Sequence, residues 1–166
     1  MLFPQITILS REEAQRVLRS SHGDSITHVI SLSEPEQEPP VELALHNGRH
    51  LILQFHDVTN TKYGYVPPTS KQVEGIIRFA HSIKPEHRLL CHCAAGISRS
   101  SAAALTVLAS KLKPGPTSAH AALRQLTHVK SRHLINPNAL IVNYADQLLG
   151  YQGSLFGVYE NAFARK

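Results

Sequence analysis

Apolar residues along this chain alternate between two spacings, and each change of spacing marks a change of element. Ile6-Thr7-Ile8-Leu9, Ile26 to Leu32, His50 to Phe55 and Arg88 to Cys91 are short, apolar-rich runs that read as strands. Between them the spacing lengthens to three and four. Ser10 is an N-cap with Glu13 three residues on, so a helix is predicted through Ala14, Val17 and Leu18 to about Ser21-His22-Gly23. Val73, Ile76, Ile77 and Ala80 form an apolar face behind a Thr69 or Ser70 cap, and Lys84-Pro85 ends that helix. Ser101 to Leu112 is apolar nearly all round, which predicts a buried helix, stopped by Pro114-Gly115-Pro116. Thr117 or Ser118 opens another helix, and Asn136-Pro137-Asn138 starts the last main one, with Leu140, Ile141, Tyr144, Leu148 and Leu149 inward. Two stretches read differently. Ser33 to Pro40, rich in Pro and Glu, is an extended exposed loop with no assigned role. Val41 to Leu45 reads as a further short strand, turned at Asn47-Gly48, a strong hairpin signal. Strands interleaved with helices predict an α/β class.

At 166 residues and 42% hydrophobic content the chain is expected to form one domain, residues 1–166. Residues 151–166 are read as a C-terminal aromatic segment packed back on that domain, with Phe156, Tyr159 and Phe163 on one helical face. The longest apolar helical run, Ala102 to Ala109, is broken by Thr106, so no membrane association is expected. Met1-Leu2-Phe3-Pro4 has no basic stretch before an apolar one, so no signal peptide is expected. Two cysteines make no disulfide framework; Cys91 and Cys93 are read as facing opposite sides of a strand, in a reducing, cytoplasmic setting.

The formal net charge is +5, and its distribution says more. No acidic residue lies between Glu86 and Asp146, while Arg88, Arg99, Lys111, Lys113, Arg124, Lys130 and Arg132 do. That half is electropositive and draws in phosphorylated substrates. It lacks a basic stripe interleaved with exposed aromatics, so nucleic acid is not an expected partner.

The chemistry concentrates in Cys91-His92-Cys93-Ala94-Ala95-Gly96-Ile97-Ser98-Arg99-Ser100-Ser101. A strand ends here, and a loop of small residues opens the buried helix. Ala94, Ala95, Gly96, Ile97 and Ser98 let successive N–H groups form a nest for an anion. The helix start adds its unpaired N–H groups and positive dipole end. Arg99 adds a planar fork that matches two phosphate oxygens. The same features favour the thiolate of Cys93. A nucleophile at the bottom of an anion cradle is suited to attack phosphorus.

His92, Cys93, Gly96, Arg99 and Ser100 resemble the His-Cys-x5-Arg-Ser/Thr signature of the cysteine-dependent protein tyrosine and dual-specificity phosphatases. The chain resembles the compact single-domain members from its first strand to the helix after Asn136-Pro137-Asn138. The resemblance implies the single-domain phosphatase fold: a central, mostly parallel mixed sheet of four to five strands flanked by helices, with the phosphate loop between a strand and a buried helix. It implies that Cys93 attacks phosphorus, that Arg99 and the amides of Ala94 to Ser98 hold the phosphate, and that Ser100 stabilises the departing thiolate. His92 would orient the loop and tune the thiol by hydrogen bonding. In that family a general-acid Asp sits on a loop some tens of residues before the Cys. Only Asp24, Asp57 and Asp146 exist here, and Asp57, which follows a strand and opens a Gly/Pro-containing loop, fits. No Trp precedes it, which favours a dual-specificity-like loop.

No cofactor is implied and no metal is expected, because Cys91, His92 and Cys93 lack zinc-type spacing. The expected partner is a phosphorylated protein or small phosphomonoester. The loop interior lacks the Lys residues of members that prefer inositol phospholipids, which argues for phosphotyrosine or mixed phosphoprotein substrates, with an inositol phosphate as the alternative. Tyr63 and Tyr65 either wall the pocket or pack the loop onto the domain, and Asn138 and Asn143 are candidates for positioning water or the loop. Two competing readings use the same residues: a non-catalytic phosphate-binding module, and a redox sensor in which Cys91 caps oxidised Cys93.

Overall fold

The computed structural model describes residues 2–164. Its sheet has four strands: β1 (Gln5–Ser10), β2 (His28–Ser33), β3 (Arg49–Gln54) and β4 (Arg88–Cys93), in the order β1-β4-β2-β3. Every ladder is parallel, so the expected mixed sheet is corrected to an all-parallel one. Six α-helices are described: α1 (Arg11–Arg19), α2 (Ser70–Ala80), α3 (Arg99–Ser110), α4 (Pro116–Val129), α5 (Ala139–Leu149) and α6 (Ser154–Tyr159). Parallel strands are covered on both faces and therefore read as continuous apolar runs. β2 shows the cover rather than the apolar run: all six of its residues are buried, His28, Ser31 and Ser33 among them.

The parallel sheet explains the main miss of the sequence reading. β2 and β3 pair in parallel, so the chain must return from the end of one to the start of the other, which a tight hairpin cannot do. Val41–Leu45 is accordingly a 3-10 turn, not a strand, with Val41 and Leu45 exposed. Asn47 and Gly48 have no positive φ, which the favoured Asn-Gly hairpin turn requires. Gly48 serves close approach instead: a Cβ there would stand 2.7 Å from the Thr27 carbonyl oxygen.

The helix signals held locally. Ser10 Oγ accepts from Glu13 N at 3.2 Å. Thr69 and Gln72 form a reciprocal capping box on α2. α3 starts at Arg99, two residues earlier than expected, and is buried through Ala109. Cys91 and Cys93, two apart on β4, share a face, and both lie in the main apolar cluster. The assignment to opposite faces is corrected accordingly. In the C-terminal segment α6 packs against α4 and α5, and Leu155, Val158 and Tyr159 are buried. No described helix is long and apolar enough to cross a membrane.

Candidate active site

In a parallel sheet all carboxyl-terminal strand ends lie at one edge, where ligands bind in open α/β folds. Here that edge gathers Ser10 at the end of β1 with Arg11 after it, Glu34 after β2, Phe55 to Asp57 after β3, and the loop after Cys93.

The 94–98 loop is fastened by its carbonyl groups. Ala94 O accepts from Arg11 N (3.3 Å), Ile97 O from Asn136 N (3.0 Å), and Ser98 O from Asn138 N (3.2 Å) and Ala102 N (3.1 Å). Lys130 Nζ donates to Gly96 O at 2.8 Å, and Ser101 Oγ to Ile97 O at 2.5 Å. None of the N–H groups from Ala94 to Ser98 donates to a backbone carbonyl among the described residues. A loop with committed carbonyls and uncommitted N–H groups is an anion nest. Gly96 makes the curve possible: its φ is +69°, and a Cβ there would fall 2.6 Å from Leu9 C and Ser10 N.

Cys93 is 3% exposed, and its Sγ lies 3.1 Å from Ser100 Oγ. Arg99 is equally buried. Its Nη1 donates to Phe55 O and its Nη2 to Glu34 Oε1, both at 2.9 Å, while Nε is buried with no partner. The guanidinium is thus clamped from two strand ends, with its Nε–H left unpartnered. Glu34 was missed: it lay in the loop to which the sequence reading gave no role. A buried arginine requires an acceptor, and Glu34 follows β2 as directly as the Phe55–Asp57 segment follows β3.

Asp57 reaches this edge as expected. Its Oδ1 accepts from Ser98 Oγ at 2.6 Å and from Asn138 Nδ2 at 2.9 Å. Ser98 occupies the N-cap position of α3 without capping it; its hydroxyl goes to Asp57 instead. Asn138 does two jobs, because its Oδ1 also accepts from Leu140 N and Ile141 N, capping α5. Asn143 has no comparable link to the loop among the described residues.

His92 is fully buried, and neither ring nitrogen makes a hydrogen bond of full geometry, although the Cys93 backbone lies close enough to act on the ring's charge. Burial, and then the Arg11 guanidinium, lower its pKa to about 4, so the ring is neutral near pH 7. Cys91 is fully buried and its thiol pushed up, by burial first and by Cys93 second. Tyr63 is 92% exposed, and Tyr65 lies edge-on to His56 with ring centroids 5.0 Å apart.

Two cavities border the loop. One, about 290 Å³, includes Asp57, Ser98 and Asn138. The other, about 510 Å³, includes Ala95, Ile97 and Leu134. Tyr63 and Tyr65 line neither. A larger cavity of about 650 Å³ lies at the opposite sheet edge around His28, Arg49 and His87 and contains none of these groups. Among the described residues no group of three or more His, Cys, Asp or Glu could hold a metal ion.

No family model matches the chain, and no curated protein matches it. Solved structures do. DUSP15 is 21% identical with a TM-score of 0.58, covering 98% of this chain and 95% of that one. PTPMT1 in complex with PI(5)P is 16% identical with a TM-score of 0.55, covering 96% and 95%. The human tyrosine phosphatase-like serine/threonine/tyrosine-interacting protein is 18% identical with a TM-score of 0.53, covering 92% and 95%. At these identities the likeness concerns the fold, and the chain has the fold of the compact tyrosine and dual-specificity phosphatases.

Proposed function

We propose that this chain is a cysteine-dependent phosphatase of the tyrosine or dual-specificity type, acting on phosphorylated protein in the reducing cytoplasm. One observation carries the reading: a thiol, a clamped guanidinium with a free Nε, a row of uncommitted amides and a carboxylate meet at one sheet edge.

The phosphate sits in the cradle of Ala94, Ala95, Gly96, Ile97 and Ser98, with Arg99 completing it. The Cys93 thiolate attacks phosphorus in line as the bond to the leaving oxygen breaks, and Asp57 delivers a proton to that oxygen. The loop amides and Arg99 stabilise the charge on the equatorial oxygens. Water then attacks the phosphocysteine, with Asp57, now ionised, taking its proton. Ser100 Oγ, 3.1 Å from Sγ, stabilises the thiolate as it leaves. Ser98 and Asn138 hold one carboxylate oxygen of Asp57, which fixes the other for this proton traffic. The neutral ring of His92 fills the space beneath the loop and carries no proton in the cycle.

The test is hydrolysis of p-nitrophenyl phosphate with a chelator present, by the wild type, Cys93→Ser and Asp57→Asn. The wild type turns over, Cys93→Ser loses activity by several orders of magnitude, and Asp57→Asn loses roughly 10²- to 10⁴-fold. A wild type that binds vanadate yet turns over nothing overturns the reading in favour of a phosphate-binding module. PI(5)P, held by PTPMT1 of the same fold, serves as the comparison substrate.

A further inference from the structure

We propose that the groove beside the phosphate loop selects phosphopeptides with an apolar residue next to the phosphorylated one. The inference rests on the phosphatase reading and names its substrate class.

The groove of about 510 Å³ begins at the loop itself. Its apolar lining is Ala95 and Ile97 from the loop with Leu134 and the buried Ile135 from the segment before α5. Ile97 is 44% exposed and Leu134 57% exposed, although both are large and apolar. Their exposure has no packing purpose in the chain. The groove shares Ala95 and Ile97 with the 94–98 loop, so a chain whose phosphate sits on those amides has this surface beside it, and we take the substrate as the occupant. The size fits, because pockets that hold small ligands are about 300–1,000 Å³.

The groove is preformed. Asn136 N to Ile97 O, Asn138 N to Ser98 O and Lys130 Nζ to Gly96 O tie the far wall to the loop at 3.0, 3.2 and 2.8 Å. An occupant therefore meets a surface whose ordering cost is already met. The ammonium of Lys130 is committed to the loop carbonyl, which leaves Glu13 and His133 as the other ionisable groups of the groove. They do not build a single-signed site.

Chemistry separates a peptide from an inositol lipid here. An inositol ring carries hydroxyls directly beside the phosphate and needs polar side chains at that distance. The groove's loop residues, Ala95 and Ile97, are apolar instead, and its polar side chains, Glu13, His133 and Asn136, come from other segments. In a phosphopeptide the same place is taken by the side chain of a neighbouring residue, and an apolar one is favoured because a polar one would lose its water without replacement.

The experiment compares kcat/KM for phosphotyrosine peptides that differ only in carrying Leu, Ser or Asp at each of the flanking positions, with p-nitrophenyl phosphate as the control for catalysis. At one flanking position the Leu peptide exceeds its Ser counterpart by roughly tenfold. In Leu134→Ser that ratio falls to about one. Leu134 is surface-exposed, so the variant folds, and a melting curve checks it. Turnover of p-nitrophenyl phosphate with no Leu preference, or with a preference that Leu134→Ser leaves intact, overturns the groove and spares the phosphatase reading. Faster turnover of an inositol phosphate than of any peptide also overturns the groove. An enzyme inert on p-nitrophenyl phosphate and all peptides overturns both.

Discussion

Replacing Gly96 by Ala tests whether the loop is shaped by close approach to β1. Gly96 has a φ of +69°, where a side chain is disfavoured, costing about 1–2 kcal/mol. The added Cβ would also stand 2.6 Å from Leu9 C and Ser10 N and 2.8 Å from Leu9 O, all main-chain atoms of a strand paired in register with β4. Overpacking of this kind costs about 1–3 kcal/mol, so the rigid total is about 2–5 kcal/mol. The loop relieves part of this by lifting from β1, and that movement carries the amides away from the phosphate. A displacement of 1 Å at a reacting centre costs about 100-fold in rate. The expected result is a fall in melting temperature of about 4–12 °C, from roughly 2–4 °C per kcal/mol at this size and 2–3 kcal/mol left after relaxation. The rate on p-nitrophenyl phosphate falls at least roughly 100-fold. Gly75→Ala is the matched control. It lies inside α2 with nothing within 4 Å of the new Cβ, and it stabilises by about 0.8–1 kcal/mol. If Gly96→Ala melts within 1 °C of wild type (about 0.3–0.5 kcal/mol) and keeps its rate, the close-approach argument is wrong.

Three further outcomes follow from the same geometry. Glu34→Ala removes the carboxylate that holds Arg99 Nη2. With Glu34 about one-third exposed, the stability loss is about 1–2 kcal/mol, while the inhibition constant of inorganic phosphate rises at least roughly tenfold; unchanged phosphate affinity would refute the clamp. Asn138→Ala removes both the α5 cap and a bond to Asp57. It lowers the rate in the wild type but adds little in an Asp57→Asn background, and full additivity in that double-mutant cycle would show that Asn138 does not act through Asp57. Stability falls as pH drops from 6.5 toward 4. His92 and His28 are both held at about 4 by burial, with an ordinary value of 6.5, so in this window the unfolded chain binds more protons than the folded one. At about 1.4 kcal/mol for each pH unit, His92 alone accounts for on the order of 3 kcal/mol, and below pH 4 its contribution levels off. Urea titrations at pH 7 and 4.5 measure the loss; a flatter dependence in His92→Gln assigns it, and an unchanged one sinks the assignment.

Local signals in the sequence were read correctly wherever one element decides its own form. Ser10, Thr69 and Asn138 cap helices because a capping oxygen needs only the N–H groups two or three residues on. The apolarity of Ala102 to Ala109 nearly all round, with Thr106 its one polar residue, shows a helix buried on all sides, and that burial holds. What failed was pairing. Asn47-Gly48 carries the local signature of a hairpin, but β2 and β3 run parallel, and nothing in residues 41–48 records that the next strand must start at the other sheet edge.

The same non-local fact governs the site. Cys93, Arg99 and Ser100 were legible because one strand–loop–helix unit fixes their spacing. Asp57 was legible because aspartates are scarce and only one follows a strand. Glu34 was not, since six other glutamates share its half of the chain, and only the strand order β1-β4-β2-β3 puts the end of β2 beside β4. Once that order is known, the choice becomes physical. Arg99 is buried, so its guanidinium must find an acceptor at the carboxyl edge of the sheet. The strands flanking β4 are β1 and β2, and the first carboxylate after β2 is Glu34. A search for the counterion of a buried arginine among the first residues after the strands flanking β4 would have narrowed the choice to Glu12 and Glu13 after β1 and Glu34 after β2, before any side chain was placed.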